Sequence, residues 1–164
     1  MSLAFSRDGQ KLMAGLYSGL VKVWDLAGRG PEVTLKGQEQ VRGLALLPDG
    51  RTLVSVGSDI RFWDLTSGQP SIHKLRATSF IGCSISPDGG RLAIGSGDGG
   101  IIVWDVASGQ ELVALQVHER NIAGVCFLPD GNTLVSVGID QLRVWRAPSF
   151  EEIARSEKAQ PRRE

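Results

Sequence analysis

The stretch Ile81-Gly82-Cys83-Ser84-Ile85-Ser86-Pro87-Asp88-Gly89-Gly90-Arg91-Leu92-Ala93-Ile94-Gly95 decides the fold, together with Ile101-Ile102-Val103-Trp104-Asp105 after a glycine-rich turn over 97–100. The run from Ile81 to Ile85 alternates, and Pro87-Asp88-Gly89 is a turn signal. Arg91 to Gly95 is a second short apolar segment, and Ile101 to Trp104 is a third. A turn at Ser108-Gly109 then precedes Glu111-Leu112-Val113-Ala114-Leu115. No segment is long enough for an ordinary helix, so four short strands joined by three turns are predicted. They make one small antiparallel sheet.

The unit recurs along the chain. Trp24, Trp63, Trp104 and Trp145 are spaced by 39, 41 and 41 residues, and each ends an apolar strand. The turn glycines Gly9, Gly50, Gly89 and Gly131 follow at 41, 39 and 42, each directly after an Asp. Two independent markers in step four times define a period near 40 with four strands per period, the signature of a radial or stacked array of sheets. Repeats fall at about 1–40, 41–80, 81–121 and 122–156, with a polar tail over 157–164. The first repeat starts inside a strand, because Leu3, Ala4 and Phe5 align with Leu44, Ala45 and Leu46. That start favours a piece of a longer array. In the last repeat, Ile153 aligns with Leu112 and marks a fourth strand.

Composition narrows the partners. Eighteen basic and 18 acidic residues cancel, which removes the electrostatic case for nucleic acid or an anionic membrane. Glycine supplies 21 of 164 residues, above the ~7% norm, and the excess sits in turns rather than in low-complexity runs. No apolar run approaches the ~18 residues of a membrane span. Met1 to Arg7 lacks the basic-then-apolar order of a signal peptide, so the default placement is cytoplasmic. Cys83 and Cys126 occupy different repeat positions and are expected as two small buried thiols, which suits a reducing compartment.

Several motifs dissolve on inspection. Gly95, Gly97 and Gly100 match a dinucleotide-binding pattern, but a strand follows them instead of the helix that holds pyrophosphate. His73, His118 and the cysteines match no zinc spacing, so no metal and no cofactor are expected. The aspartates of the Asp-Gly pairs are turn formers whose side chains bond the local backbone. The four tryptophans share one register and are expected in the core rather than as stacking platforms.

Trp24-Asp25, Trp63-Asp64 and Trp104-Asp105, with Pro-Asp-Gly turns in three of the four copies, resemble the WD-repeat family of β-propellers over residues 2–156. Arg146 after Trp145, and Arg7 in place of Pro, depart from the pattern. The resemblance implies an all-β fold of four WD-type four-stranded blades. It also implies a hydrogen-bonded set of His, Ser, Asp and Trp within a blade, matched in full by His118, Ser136, Asp140 and Trp145. Elsewhere the set is expected to be broken. Gly37 stands in for His in the second repeat beside Ser55, Asp59 and Trp63. In the third, Arg76 or Ala77 replaces His and Ile94 replaces Ser, and the first has Ala14 and Ser18.

Family blades are wedges suited to rings of roughly seven or eight, so four sweep about half a circle. Three outcomes follow in order of expectation: further blades in a longer parent chain, two copies pairing into an eight-bladed ring, or closure with four blades. The resemblance implies a non-catalytic scaffold that binds a protein or peptide through its rim. Rim candidates are Tyr17, Ser58, Gly97 and Ile139 beside the second turns, and Gln40, Arg42, Phe80, Arg120 and Asn121 at the entries to first strands. The alternative is a small-molecule or enzymatic site in the central channel. Against it, the first strands are mainly apolar or small, Arg42 excepted.

Overall fold

A computed structural model describes residues 2–28, 32–36, 38–74, 80–139 and 141–147. The first sheet contains β1 (Ser2–Phe5), β2 (Lys11–Gly15), β3 (Val21–Asp25) and β4 (Val33–Leu35). The second contains β5 (Val41–Leu46), β6 (Thr52–Gly57), β7 (Asp59–Asp64) and β8 (Pro70–Lys74). The third contains β9 (Phe80–Ile85), β10 (Arg91–Ser96), β11 (Gly100–Asp105) and β12 (Gln110–Gln116). The fourth contains β13 (Gly124–Phe127), β14 (Thr133–Val137) and β15 (Leu142–Arg146). Each sheet is an antiparallel meander in chain order. The strand expected around Ile153 and the tail over 157–164 lie outside the described residues.

The turns form for the reasons legible in the sequence. Gly9, Gly50, Gly89 and Gly131 hold φ of 69°, 66°, 77° and 72°, a region open to glycine at no steric cost. The preceding carboxylates accept the N–H two residues on: Asp8 from Gln10 at 3.0 Å, Asp49 from Arg51 at 2.8 Å, Asp88 from Gly90 at 3.0 Å and Asp130 from Asn132 at 3.0 Å. The Asp after Trp24, Trp63 and Trp104 likewise bonds a backbone N–H of the next turn. Asp25 accepts from Ala27 N, Asp64 from Thr66 N and Asp105 from Ser108 N.

The sheets pack in sequence around a common axis, with β1 against β5, β5 against β9 and β9 against β13. Each junction has its own apolar cluster. Met13, Val21 and Val23 meet Leu44, Leu53 and Trp63 at the first. Val54 and Ile60 meet Leu92, Ile94 and Trp104 at the second, and Ala93 and Ile101 meet Ile122 and Leu134 at the third. Among the described residues no comparable packing joins the first sheet to the fourth. The result is an arc of four sheets whose first and fourth outer faces are open among the described residues.

The two end faces show what that opening costs in burial. Leu142 on β15 occupies the place held by Val21, Ile60 and Ile101 in the other sheets; those three are fully buried, whereas Leu142 is 62% exposed. At the other end Leu3 is 58% exposed, against 6% for its counterpart Leu44. Two sequence expectations change for the same reason. Trp63 and Trp104 are core, but Trp24 and Trp145 in the end sheets are only half-buried. Cys83 is largely enclosed, and burial pushes its thiol up to about 12. Cys126 is exposed. It aligns with Ser84, whose hydroxyl faces the following sheet and accepts from Phe127 N at 3.0 Å; among the described residues no sheet packs on that side of the fourth, and the Cys126 side chain is exposed.

The turn carboxylates make the fold acid-sensitive. The Arg51 guanidinium and the N–H of Thr66 draw Asp64 down from 3.8 to about 2. The Ser86 hydroxyl lowers Asp88, and the Thr133 hydroxyl lowers Asp130. A depressed carboxylate contributes stability that is complete above its unfolded value and lost as pH falls through its folded one. The thermal midpoint is therefore expected to fall between pH 3.8 and about 2. Thermal scans of Asp88→Asn and Asp130→Asn check this: both should start lower at neutral pH and decline less steeply in acid.

Candidate partner-binding rim and its hydrogen-bonded supports

A buried chain of polar groups props the rim in the second sheet. Trp63 Nε1 donates to Ser55 Oγ at 2.8 Å, and Ser55 donates to Gln38 Oε1 at 2.8 Å. Gln38 Nε2 in turn donates to Asp59 Oδ1 at 2.7 Å and to Asp59 O at 2.8 Å. Arg61 completes the set with its guanidinium on the Asp59 carboxylate at 3.0 Å. Gln38 is 5% exposed and Ser55 is fully buried. The expectation of a broken set here is corrected: Gln38, not Gly37, takes the histidine's place. An amide offers one acceptor and one donor side, which is what a neutral imidazole offers. The sequence conceals the substitution because the connection is one residue shorter, with three steps from Gln38 to Val41 against four from His118 to Ile122.

The fourth sheet holds the histidine version. Trp145 Nε1 donates to Ser136 Oγ at 3.1 Å, and His118 Nε2 lies 2.9 Å from the same oxygen. The indole takes one of the two lone pairs of that oxygen, and the direction of its bond with Nε2 depends on the imidazole tautomer. Asp140, the expected partner of Nδ1, lies outside the described residues. A Cβ on Gly138 would stand 2.5 Å from Nδ1, so glycine is required there.

The other two sheets lack the chain. In the third, Ile94 replaces Ser and Trp104 Nε1 is buried without a hydrogen-bond partner. The Trp104 ring packs 6.0 Å from His73, which also meets Phe62 edge-on at 5.4 Å. In the first, Trp24 Nε1 donates to Glu32 at 3.1 Å, and Lys22 pairs with the same carboxylate at 2.6 Å.

These supports fix the connections that carry the rim candidates. Tyr17, in the turn after β2, is 62% exposed. The Arg42 guanidinium lies over its ring at 5.9 Å and donates to Gln40 Oε1 at 3.1 Å. Tyr17, Gln40 and Arg42 thus form one cluster where the first two sheets meet. Ser58 is exposed in the next turn; Arg120 and Asn121 are exposed where the third and fourth sheets meet, and Ile139 is 72% exposed beyond them. Phe80 does not belong to this surface. It is 1% exposed, packed in the core between the second and third sheets. Its position matches Val41 at the start of β5 and Ile122 just before β13, both fully buried, so this position holds a wedge between sheets.

The opposite end of the axis opens into a cleft of about 750 Å³, bounded by Phe5, Lys11, Leu46, Pro48, Pro87 and Phe127. Asp8 and Asp49 also border it, but both carboxylates are engaged in their turns. Among the described residues, no three His, Cys, Asp or Glu side chains are placed to hold a metal ion. None of these residues forms a helix long and apolar enough to cross a membrane.

The polar chain gives the two central tryptophans different roles despite one register. Replacing Trp63 by Phe removes a satisfied hydrogen bond, whereas replacing Trp104 by Phe removes an orphaned donor. Trp63→Phe is expected to cost ~1 kcal/mol more than Trp104→Phe in urea denaturation. His118→Ala and Gln38→Ala should each lower stability by about 1–3 kcal/mol, since each orphans buried partners. An unchanged denaturation midpoint for either would remove the polar chain as a determinant of the fold.

Comparison with known proteins agrees with this geometry. A family model described as "WD domain, G-beta repeat" matches residues 1–25, 29–64, 69–105 and 109–145. The chain is 33% identical over 139 residues to Protein groucho of Drosophila melanogaster, covering 77% of this chain and 19% of that protein. It is 29% identical to Protein HIR1 of Candida albicans, over 94% of this chain and 18% of that protein. It is 28% identical to a serine-threonine kinase receptor-associated protein of Dictyostelium discoideum, over 77% of this chain and 43% of that protein. The chain therefore spans less than half the length of these relatives. Among solved structures, a chain of the Mitotic Checkpoint Complex superposes with a TM-score of 0.80 at 22% identity, covering 90% of this chain and 49% of that one. Four family matches across four sheets around one axis establish that the chain belongs to the WD-repeat family of β-propellers.

Proposed function

We propose that the chain is a non-catalytic scaffold that binds a protein or peptide through the rim carrying Tyr17, Gln40 and Arg42. The observation that carries this is the exposed Tyr17 ring under the Arg42 guanidinium, itself bonded to Gln40. Tyrosine and arginine are the residue types that anchor interfaces, and a side chain held before binding loses less entropy on binding. Ser58, Arg120, Asn121 and Ile139 extend the surface around the arc and set its specificity. One relative, the receptor-associated protein of Dictyostelium discoideum, is named for an association of this kind. The cytoplasm is the compartment proposed for this role.

The repeat boundaries proposed from the sequence, about 1–40, 41–80, 81–121 and 122–156, suit this role because each rim connection falls between sheets. A second reading, a small-molecule site, draws on the axial cleft of about 750 Å³. Its carboxylates serve the turns, which leaves it as a recess for binding rather than for chemistry. Further sheets, from a longer chain or from a second copy, are part of the proposal because both ends of the arc are open.

Panning a displayed peptide library against the intact chain tests the rim. Selected peptides are expected to lose on the order of tenfold or more in affinity against Tyr17→Ala and Arg42→Ala, as for interface anchors. Equal binding to wild type and both variants would reject the rim; competition by substitutions at Phe5 or Lys11 would move the site to the cleft.

A further inference from the structure

The four sheets are not equivalent: they alternate. Thr52-Leu53-Val54-Ser55-Val56-Gly57 in the second sheet is identical to Thr133-Leu134-Val135-Ser136-Val137-Gly138 in the fourth. Asp49 and Asp130 bond the threonine hydroxyls at 2.7 and 2.6 Å. In the first and third sheets the turns instead use Ser6 and Ser86. Each donates to the turn Asp and accepts from the backbone N–H of Lys11 or Arg91, at 2.8 and 2.9 Å. The buried polar chains occur in the even sheets. The repeating unit is a pair of sheets, used twice.

The junctions alternate too. Among the described residues, the side-chain hydrogen bonds that cross between sheets all join an odd sheet to the even one after it, and backbone bonds join the same pairs. Val41 N donates to Leu16 O at 3.2 Å, and Ile122 N donates to Ser96 O at 3.3 Å. Leu44 N donates to Ser2 Oγ at 3.1 Å, and Phe127 N to Ser84 Oγ at 3.0 Å. Lys11 Nζ reaches Gly50 O at 3.5 Å, and Arg91 Nη2 reaches Gly131 O at 2.8 Å. The even-to-odd junction, second sheet on third, is an apolar seam.

The open ends of the arc are the two halves of that same seam. The second sheet enters it with Leu47, Val54, Val56, Ile60 and Phe62. In the fourth sheet, strand register places Leu128, Val135, Val137, Leu142 and Val144 at these positions. Four of the five are exposed there, Leu142 and Val144 by 62% and 60%. On the receiving side the third sheet presents Cys83, Ile85, Leu92, Trp104 and Val106. The first sheet presents Leu3, Phe5, Leu12, Trp24 and Leu26 at the same places. Lys22 replaces Ile102 at the outer edge; its stem can cover apolar surface while the ammonium stays on Glu32.

We infer that the trailing face of the fourth sheet docks the leading face of the first sheet of a second copy, so that two chains close into one eight-sheet ring. This deepens the reading that the arc's ends await further sheets and is independent of the rim. An apolar seam without side-chain hydrogen bonds across it needs little beyond shape and hydrophobicity to re-form between chains, and a head-to-tail contact that closes leaves no edge open. The chain superposes on 49% of a solved chain with a TM-score of 0.80, so its four sheets share the fold of part of a longer chain.

Light scattering on the full chain, eluted from a sizing column, tests this. The mass is expected at twice 17.6 kDa. Leu142→Glu with Val144→Glu should halve it, and so should Leu3→Glu with Phe5→Glu at the opposite face. These side chains are already exposed, so far-UV circular dichroism should not change. Tyr17→Ala with Arg42→Ala should leave the doubled mass intact, which separates failure of the seam from failure of the rim. A wild-type mass of 17.6 kDa overturns the inference and assigns the seam to sheets of another polypeptide. A doubled mass that survives both glutamate pairs, or open-ended polymers, overturns it as well.

Discussion

A four-stranded sheet of strands this short has two apolar faces and no means of covering either. Every other feature of the chain answers that constraint. Alternation along β10 sends Leu92 and Ile94 to the junction with the second sheet and Ala93 to the junction with the fourth, and all three are fully buried. Because side chains alternate strictly along a strand, a sheet buried on both faces reads as a continuous apolar run. That is why Leu92-Ala93-Ile94 shows no polar position. The tight turns keep each sheet narrow, and the radial arrangement lets one surface serve as lid for its neighbour.

Once the faces are covered, the polar atoms trapped between them must be satisfied. Trp63 supplies a wide apolar ring but brings an N–H into the junction, and Ser55, Gln38 and Asp59 relay that need outward to the connection before β5. The relay links core to rim: what begins as the satisfaction of an indole ends by fixing the loop that carries Gln40 and leads to Arg42 at the start of β5. The third sheet shows the alternative. Ile94 fills the space apolarly and leaves Trp104 Nε1 unsatisfied, a cost set against better packing.

The sequence announced the sheets, the turns and their order because each rests on local chemistry: Asp-Gly for a turn of positive φ, alternation for strands, and tryptophan at a fixed register. What it hid depended on register between distant segments. Gln38 was masked by a one-residue difference in loop length, invisible when counting back from Asp49. Phe80 looked like a loop aromatic, yet its pairing with Ser96 across a bulge in β9 places it beside Val41 and Ile122 as a wedge. Cys126 reads as a small buried thiol in a first strand, yet it is exposed, because among the described residues no sheet packs on that side of the fourth.

Alternation gives the arc two kinds of joint, and the difference has a mechanical meaning. Hydrogen bonds such as Leu44 N to Ser2 Oγ are directional, so they set the height of one sheet against the next and resist sliding. Apolar contact between Val54, Ile60, Leu92 and Ile94 is non-directional and tolerates small shifts. A ring of wedges must satisfy one global condition, that the last angle meets the first, and rigid joints throughout would concentrate any error at closure. Pinned pairs separated by a compliant seam spread that error over the apolar joints. The rim is then positioned accurately within each pair, where Tyr17 from the first sheet meets Arg42 from the second, while the ring as a whole keeps the freedom to close.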